Sequence, residues 1–210
     1  GGDDLPYLVM QLISGESLEQ RLTREKKLPL NEIVRIAMQT AHGLVAAHTQ
    51  GLVHRDIKPG NILLEPPNDR VKLTDFGLAR VADDHKITRT GFVTGTPLYM
   101  APEQALGEEP DFRSDLFSFG AILYEMLSGH RAFQADSAAG TLAAVINKDP
   151  QPLPQASSGR VPPALEQLVS RCLRKDPSRR TQHASDLKVA LDELREDALS
   201  GSPRAASAPT

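Results

Sequence analysis

The residues of this sequence best suited to chemistry crowd into one stretch and its sequel. His54-Arg55-Asp56-Ile57-Lys58-Pro59-Gly60-Asn61 sets a carboxylate, an ammonium and an amide within six positions. Asp75-Phe76-Gly77 adds a second carboxylate nineteen positions after Asp56. One Asp or Asn in a turn is ordinarily a cap or a turn-former. Together these side chains offer more: a carboxylate able to take a proton, hard oxygen donors of the kind Mg2+ prefers, and an ammonium able to neutralise an anion. Ala101-Pro102-Glu103 follows, and the polar stretch before it carries Thr88, Thr90 and Thr94. A segment that long and charged inside a compact domain is usually functional rather than a connector.

Elements of several kinds must hold these residues in place. Leu5, Tyr7, Leu8, Val9 and Met10 predict a strand close to the first residue, and its pairing partners are expected upstream of Gly1. Apolar positions at Ile33, Ile36, Ala37, Ala41, Leu44 and Ala47 predict a helix from Asn31 to about His48 with one buried face, capped by Asn31. Ile62–Leu64 and Val71–Leu73 predict two short strands joined through Pro66, Pro67, Asn68 and Asp69. From Ser114 to Leu127 the pattern is apolar nearly all round, which predicts a helix buried at the centre of a domain. A shorter helix is expected over Thr141–Lys148. Two amphipathic helices follow, one carrying Leu165, Leu168, Val169 and Cys172, the other Leu187, Ala190, Leu191 and Leu194. After about Asp197 the Ser, Pro, Gly and Ala composition predicts a disordered tail or the start of a linker. The expected fold is mainly α, α+β overall, a helical bundle around a buried central helix with a few short strands.

The bulk numbers narrow the function. A chain of 210 residues suits one domain with a sizeable core. A net charge of −3 provides no basic field for nucleic acid. The single Cys172 cannot form an internal disulfide and reads as a core thiol, which suits a reducing compartment. No stretch approaches the roughly 18 apolar residues of a membrane span, so no membrane contact is expected from this segment. The remaining histidines, His42, His48, His85, His130 and His183, show no metal-ligand spacing. His48, near the end of the long helix, is expected to be packed or hydrogen-bonded.

With the motifs from His54 to Asn61, Asp75 to Gly77 and Ala101 to Glu103 in this order, the sequence resembles the eukaryotic-type protein serine/threonine kinase family. The resemblance runs from Leu5 to about Glu196 and implies a protein-kinase-like C-terminal lobe. It divides the chain into a last N-lobe strand and hinge over 1–13, a C-lobe over 14–196 and a tail over 197–210. ATP and Mg2+ are the implied cofactors, and protein Ser/Thr hydroxyls the implied acceptors. Asp56 is the implied base. Asn61 and Asp75 are the implied Mg2+ ligands, and Lys58 neutralises the transferring phosphate. Gly95-Thr96-Pro97-Leu98-Tyr99-Met100 resembles the substrate-docking loop, where Thr96 would bond Asp56 and Lys58.

His54 and Phe76, with Gly77, carry over as structural residues, the first two in the hydrophobic spine. Asp115 resembles the aspartate that braces the catalytic-loop backbone, and Glu103 with Arg180 the buried ion pair that anchors the activation segment. Phosphate on Thr88 or Thr90 would pair with Arg55. At the front, Met10 would be the gatekeeper, the backbone of Gln11 and Ile13 would bond adenine, Ser17 would lie near the ribose and Leu63 under the base.

No glycine-rich loop, strand lysine or partner glutamate precedes residue 5. The isolated chain is therefore expected to be inactive or nearly so, and its parent protein to be the kinase. Gly60, where many animal and plant kinases have glutamate, leans toward a bacterial member, cytoplasmic in its kinase portion and tethered to a membrane in many relatives. A homodimer is the expected activating assembly of the full-length protein. Two other classes stay in view. A pseudokinase or binding scaffold ordinarily lacks one of the three acid and amide residues retained here, and a small-molecule phosphotransferase lacks the Ala-Pro-Glu segment and the docking-loop threonine.

Overall fold

The three-and-four apolar spacing in the first third of the chain becomes helix α2, Leu30–Thr49, which buries Ile33, Ile36, Ala37, Ala41 and Leu44 along one face. This computed structural model describes residues 11–76, 97–157 and 161–200. Asn31 does not cap α2. Pro29 holds that place with φ −61° and its carbonyl accepts the first helical bond from Ile33 N at 3.0 Å, so the helix starts as soon as the ring-locked residue is passed. A shorter helix, α1 (Leu18–Glu25), comes before it and buries only Leu18 and Leu22. Its start is written in a capping box: Ser17 Oγ accepts from Gln20 N at 3.2 Å, and Gln20 Oε1 accepts from Ser17 N at 2.8 Å.

Three strands form one antiparallel sheet in chain order, β1 (Glu16–Ser17), β2 (Ile62–Glu65) and β3 (Arg70–Leu73). The predicted pair is present with Glu65 and Arg70 added, and β1 joins it unforeseen. The register sets Ser17 opposite Leu63 and Ile62 opposite Leu73. A Cβ on Gly15 would meet Leu64 O at 2.2 Å, so only glycine lets the chain approach β2 there. The strand expected over Leu5–Met10 lies outside the described residues.

The remaining long elements among the described residues are helices, giving a mainly α architecture with a small sheet. In order come α3 (Pro102–Ala105), α4 (Phe112–Ser128), α5 (Ala138–Asn147), α6 (Leu153–Ala156), α7 (Pro163–Cys172) and α8 (Ala184–Ser200). As its composition predicts, α4 is buried on all sides, with Leu116, Phe117 and Leu123 wholly enclosed. Each such side chain contributes about 1.5–3 kcal/mol. Asp111 caps the helix by accepting from Arg113 N at 2.8 Å.

Helix α4 packs against α7, and α2 against α8. Cys172 is fully buried in α7, and burial pushes its thiol up to about 12, as suits a core residue. Helix α8 carries on to Ser200, past Asp197, where disorder was expected. Residues 201–210 lie outside the described residues. Among the described residues no helix is long and apolar enough to cross a membrane.

Candidate active site

The loop between α2 and β2 is fixed from below by one carboxylate. Asp115, on the first turn of α4 and 1% exposed, accepts from the amides of His54 and Arg55, each at 2.8 Å. Arg55 has φ 69°, a left-handed conformation that a non-glycine residue holds only when its surroundings dictate it. His48 Nε2 lies 2.9 Å from Asp115 Oδ2 and its ring packs on Phe112 at 4.7 Å. A hydrogen-bonded histidine is what the sequence suggested. Gln104 adds a second brace, donating from Nε2 to Arg55 O at 2.8 Å while its Oε1 accepts from Ala101 N.

His54 ties this loop to the end of β3. It is fully enclosed, packs its ring at a tilt of 44° against Phe76 with centroids 4.4 Å apart, and sets Nε2 2.9 Å from Thr74 O. Asp56 N donates to its Nδ1 at 3.4 Å, so a neutral ring with the proton on Nε2 satisfies both contacts. Burial, only partly offset by the Asp115 charge, lowers the pKa of His54 and favours that neutral ring.

On this support Asp56, Lys58 and Asn61 converge. Lys58 Nζ lies 2.6 Å from Asp56 Oδ2, and Asn61 Nδ2 donates both to Asp56 O at 2.8 Å and to Asp56 Oδ2 at 3.0 Å. Asn61 itself is 5% exposed, whereas the Asp56 and Lys58 side chains are 38% and 45% exposed. A buried amide thus aims a solvent-facing carboxylate. Thr74 N donates to Asn61 O at 3.0 Å, which brings the next residue, Asp75, alongside the loop. Asp75 is exposed at φ 61° and has no side-chain partner among the described residues.

The donor set fits Mg2+. With Nδ2 of Asn61 engaged by Asp56, its Oδ1 remains a hard oxygen donor, and the Asp75 carboxylate is a second. Two protein oxygens suffice for an ion that keeps water and phosphate ligands.

A second constellation joins the chain at 103 to that at 180. Arg180 forks onto Glu103, with Nη1–Oε1 2.7 Å and Nη2–Oε2 2.6 Å, and both residues are buried. Its remaining hydrogens reach the carbonyls of Arg174, Arg113 and Lys175. Burial alone would raise the Glu103 carboxyl, but hydrogen bonds from Arg180 and Ser114 hold it below its usual value.

Of the remaining predicted residues, Ser17 and Leu63 face each other across β1 and β2, and Ser17 Oγ serves as the α1 cap. Gln11 is exposed and Ile13 half-buried. Arg55 pairs with Glu109 at 3.0 Å. Met10, Gly77, Thr88, Thr90, Thr94 and Thr96 lie outside the described residues. Sequence reasoning did not assign roles to Thr74, Gln104 or Ser114. Each acts through backbone or carboxylate contacts that spacing does not encode.

The protein kinase domain model matches residues 3–190. The chain is 41% identical over 194 residues to the serine/threonine-protein kinase PknA of Corynebacterium glutamicum, covering 92% of this chain and 40% of that protein. It is 40% identical over 200 residues to the serine/threonine-protein kinase pkn3 of Myxococcus xanthus, covering 91% and 37%. With PknA of Mycobacterium tuberculosis the identity is 41%, covering 90% and 43%. The chain thus spans about two fifths of the length of the curated relatives it matches. All three are bacterial, in line with the leaning drawn from Gly60.

Proposed function

Because the chain belongs to the protein kinase domain family, we propose that it forms the catalytic lobe of a protein serine/threonine kinase, which moves the γ-phosphoryl group of ATP to Ser and Thr hydroxyls of proteins. The observation that carries this reading is the bonded set Lys58–Asp56–Asn61, with Asp75 brought beside it through Thr74. Asp56 orients the acceptor hydroxyl and takes its proton as the new oxygen–phosphorus bond forms and the bond from the γ-phosphorus to the β,γ-bridging oxygen breaks, with ADP as the leaving group. Lys58 neutralises charge on the transferring group. Asn61 Oδ1 and the Asp75 carboxylate hold Mg2+, which when bound supplies charge neutralisation at the phosphate oxygens.

The division into a hinge segment over 1–13, a catalytic lobe over 14–196 and a following tail belongs to the same proposal. So do Met10, Gln11, Ile13, Ser17 and Leu63 as the nucleotide edge. The cross-strand position of Ser17 against Leu63 supports that assignment, since ribose and base are adjacent parts of one ligand. Thr96 is assigned to the docking of the acceptor. Phosphate on Thr88 or Thr90 would take Arg55 from Glu109. That carboxylate is 79% exposed, and an exposed pair is held by only about 0.2–1 kcal/mol.

Full-length protein incubated with Mg-ATP and myelin basic protein tests the proposal. Label is expected on serine and threonine, lost in Asp75→Asn and in Asp56→Asn. Transfer to an aminoglycoside or choline but not to protein would replace it with a small-molecule phosphotransferase.

A further inference from the structure

Twelve arginines fall among the described residues, and eight of them have a carboxylate within ion-pair distance: Arg21, Arg24, Arg35, Arg55, Arg113, Arg131, Arg180 and Arg195. The four without one are Arg70, Arg171, Arg174 and Arg179. Three of these four lie within nine residues, from the last turn of α7 to the short 3-10 turn Pro177–Arg179, and all three are exposed. In a chain whose net charge is −3, three of the four described arginines without an ion pair are thus gathered in one segment.

Two of these arginines line the same cavity. A groove of about 410 Å³ runs between α7, the 3-10 turn and α8, bordered by Arg171 and Arg179 and floored in part by Leu168 and Ala190. The other polar groups around it are already engaged. Arg180 is locked onto Glu103 and three carbonyls. Gln182 Nε2 donates to the carbonyls of Pro177, Ser178 and Arg180. Asp186 Oδ2 accepts from His183 N at 3.2 Å, and the neighbouring Asp176 accepts from the amide and hydroxyl of Ser178. Neither acid lies within ion-pair distance of Arg171 or Arg179. The groove therefore offers two guanidinium groups beside an apolar floor, with no carboxylate among the described residues within ion-pair distance of them; Asp176 interacts with Arg179 only at longer range.

We propose that this groove docks an acidic peptide segment of a partner protein, with carboxylates on Arg171 and Arg179 and an apolar side chain against Leu168 and Ala190. The planar guanidinium matches a carboxylate through two parallel hydrogen bonds, and arginine is enriched among the anchors of protein interfaces. The groove uses none of the residues of the catalytic loop, so docking there adds a second point of attachment rather than a variant of the first. An extended nucleic acid is the poorer fit, because the basic groups occupy one short segment of an acidic chain and form no stripe.

The full-length protein serves for the test, with fluorescence anisotropy of a labelled peptide of repeating Glu-Leu-Glu-Glu as the readout. Binding is expected to weaken about tenfold between roughly 0.05 and 0.5 M salt, as the Debye length falls from well beyond contact distance to near it. The double variant Arg171→Glu/Arg179→Glu is expected to lose at least about tenfold in affinity, whereas Arg70→Glu leaves it unchanged. Both variants alter exposed side chains, and circular dichroism with a melting curve confirms that each is folded. Should the double variant fail to fold, Arg171→Gln/Arg179→Gln makes the same comparison without charge repulsion. Equal binding by the double variant and Arg70→Glu overturns the proposal. So does equal binding of the peptide with Gln in place of Glu, or tighter binding of a single-stranded oligonucleotide of matched charge. None of these results depends on phosphoryl transfer, so the docking proposal and the kinase reading fail separately.

Discussion

Asn61 donates from Nδ2 to the Asp56 carboxylate at 3.0 Å, so in the proposed mechanism one residue both aims the base and keeps an oxygen for the metal ion. The two roles separate by substitution. In the full-length protein, if it is the proposed kinase, Asp56→Asn is expected to lower kcat about 10²–10⁴-fold with the Mg2+ concentration for half-maximal rate unchanged. Asn61→Ala removes the aiming bond and the metal donor together, so both kcat and the Mg2+ requirement worsen. Steady-state rates over a Mg2+ titration decide it. An unshifted Mg2+ dependence in Asn61→Ala would remove Asn61 from the metal site.

Asp115 carries a different load. It is buried beneath the loop and is the acceptor for two adjacent amides, one of them on Arg55 in its left-handed conformation. Asp115→Ala leaves both amides without that acceptor, at about 1–3 kcal/mol each, and releases the strained residue. Chemical denaturation should show a loss of about 2–6 kcal/mol. Hydrogen exchange at His54 and Arg55 should quicken more than exchange in α7. Uniform quickening would mean that Asp115 stabilises the fold without bracing the loop.

The Glu103–Arg180 pair predicts both a stability change and its pH dependence. Removing one partner of a buried pair costs about 3–5 kcal/mol, so Arg180→Ala should lower the melting temperature sharply. Glu103 is held below its ordinary value near 4.5, so the folded state binds this proton less readily than the unfolded chain. Its stabilisation is fully present above about pH 4.5 and is lost as pH falls through the lower folded value. Glu103→Gln should therefore flatten part of the acid limb of the stability curve while leaving neutral pH as the range of greatest loss. An unchanged melting temperature in Arg180→Ala would show that the pair does not anchor the segment.

How much of this was legible in the sequence depended on the range of each interaction. The long helix α2 and the buried α4 were readable because their apolar residues repeat at helical spacing over four turns or more. Asp56, Lys58 and Asn61 were readable as a set because they sit in one turn. Helix α1 was missed because two buried leucines make too short a pattern, although the Ser17–Gln20 capping box announced it. The bond from Gln104 to Arg55 spans 49 positions, and that from Thr74 to Asn61 runs between backbone groups. Neither leaves a trace in residue type. The same holds for the arginine groove, since only the fold reveals which arginines lack a carboxylate.

Gly120 tests the packing on which the site rests. A Cβ there would lie 2.5 Å from the Cβ of Cys172, so α4 and α7 approach at a distance that only glycine permits. Gly120→Ala gains about 1 kcal/mol in helix propensity but forces the two helices apart, and overpacking costs about 1–3 kcal/mol or more. Net destabilisation in urea is therefore expected, with a lowered midpoint. Cys172→Ala should not rescue it, because the clashing atom is the Cβ that alanine retains. Cys172→Gly removes that atom, so the double variant Gly120→Ala/Cys172→Gly should be more stable than the sum of the two single changes predicts. Strict additivity would show that the helices are not in contact at this point.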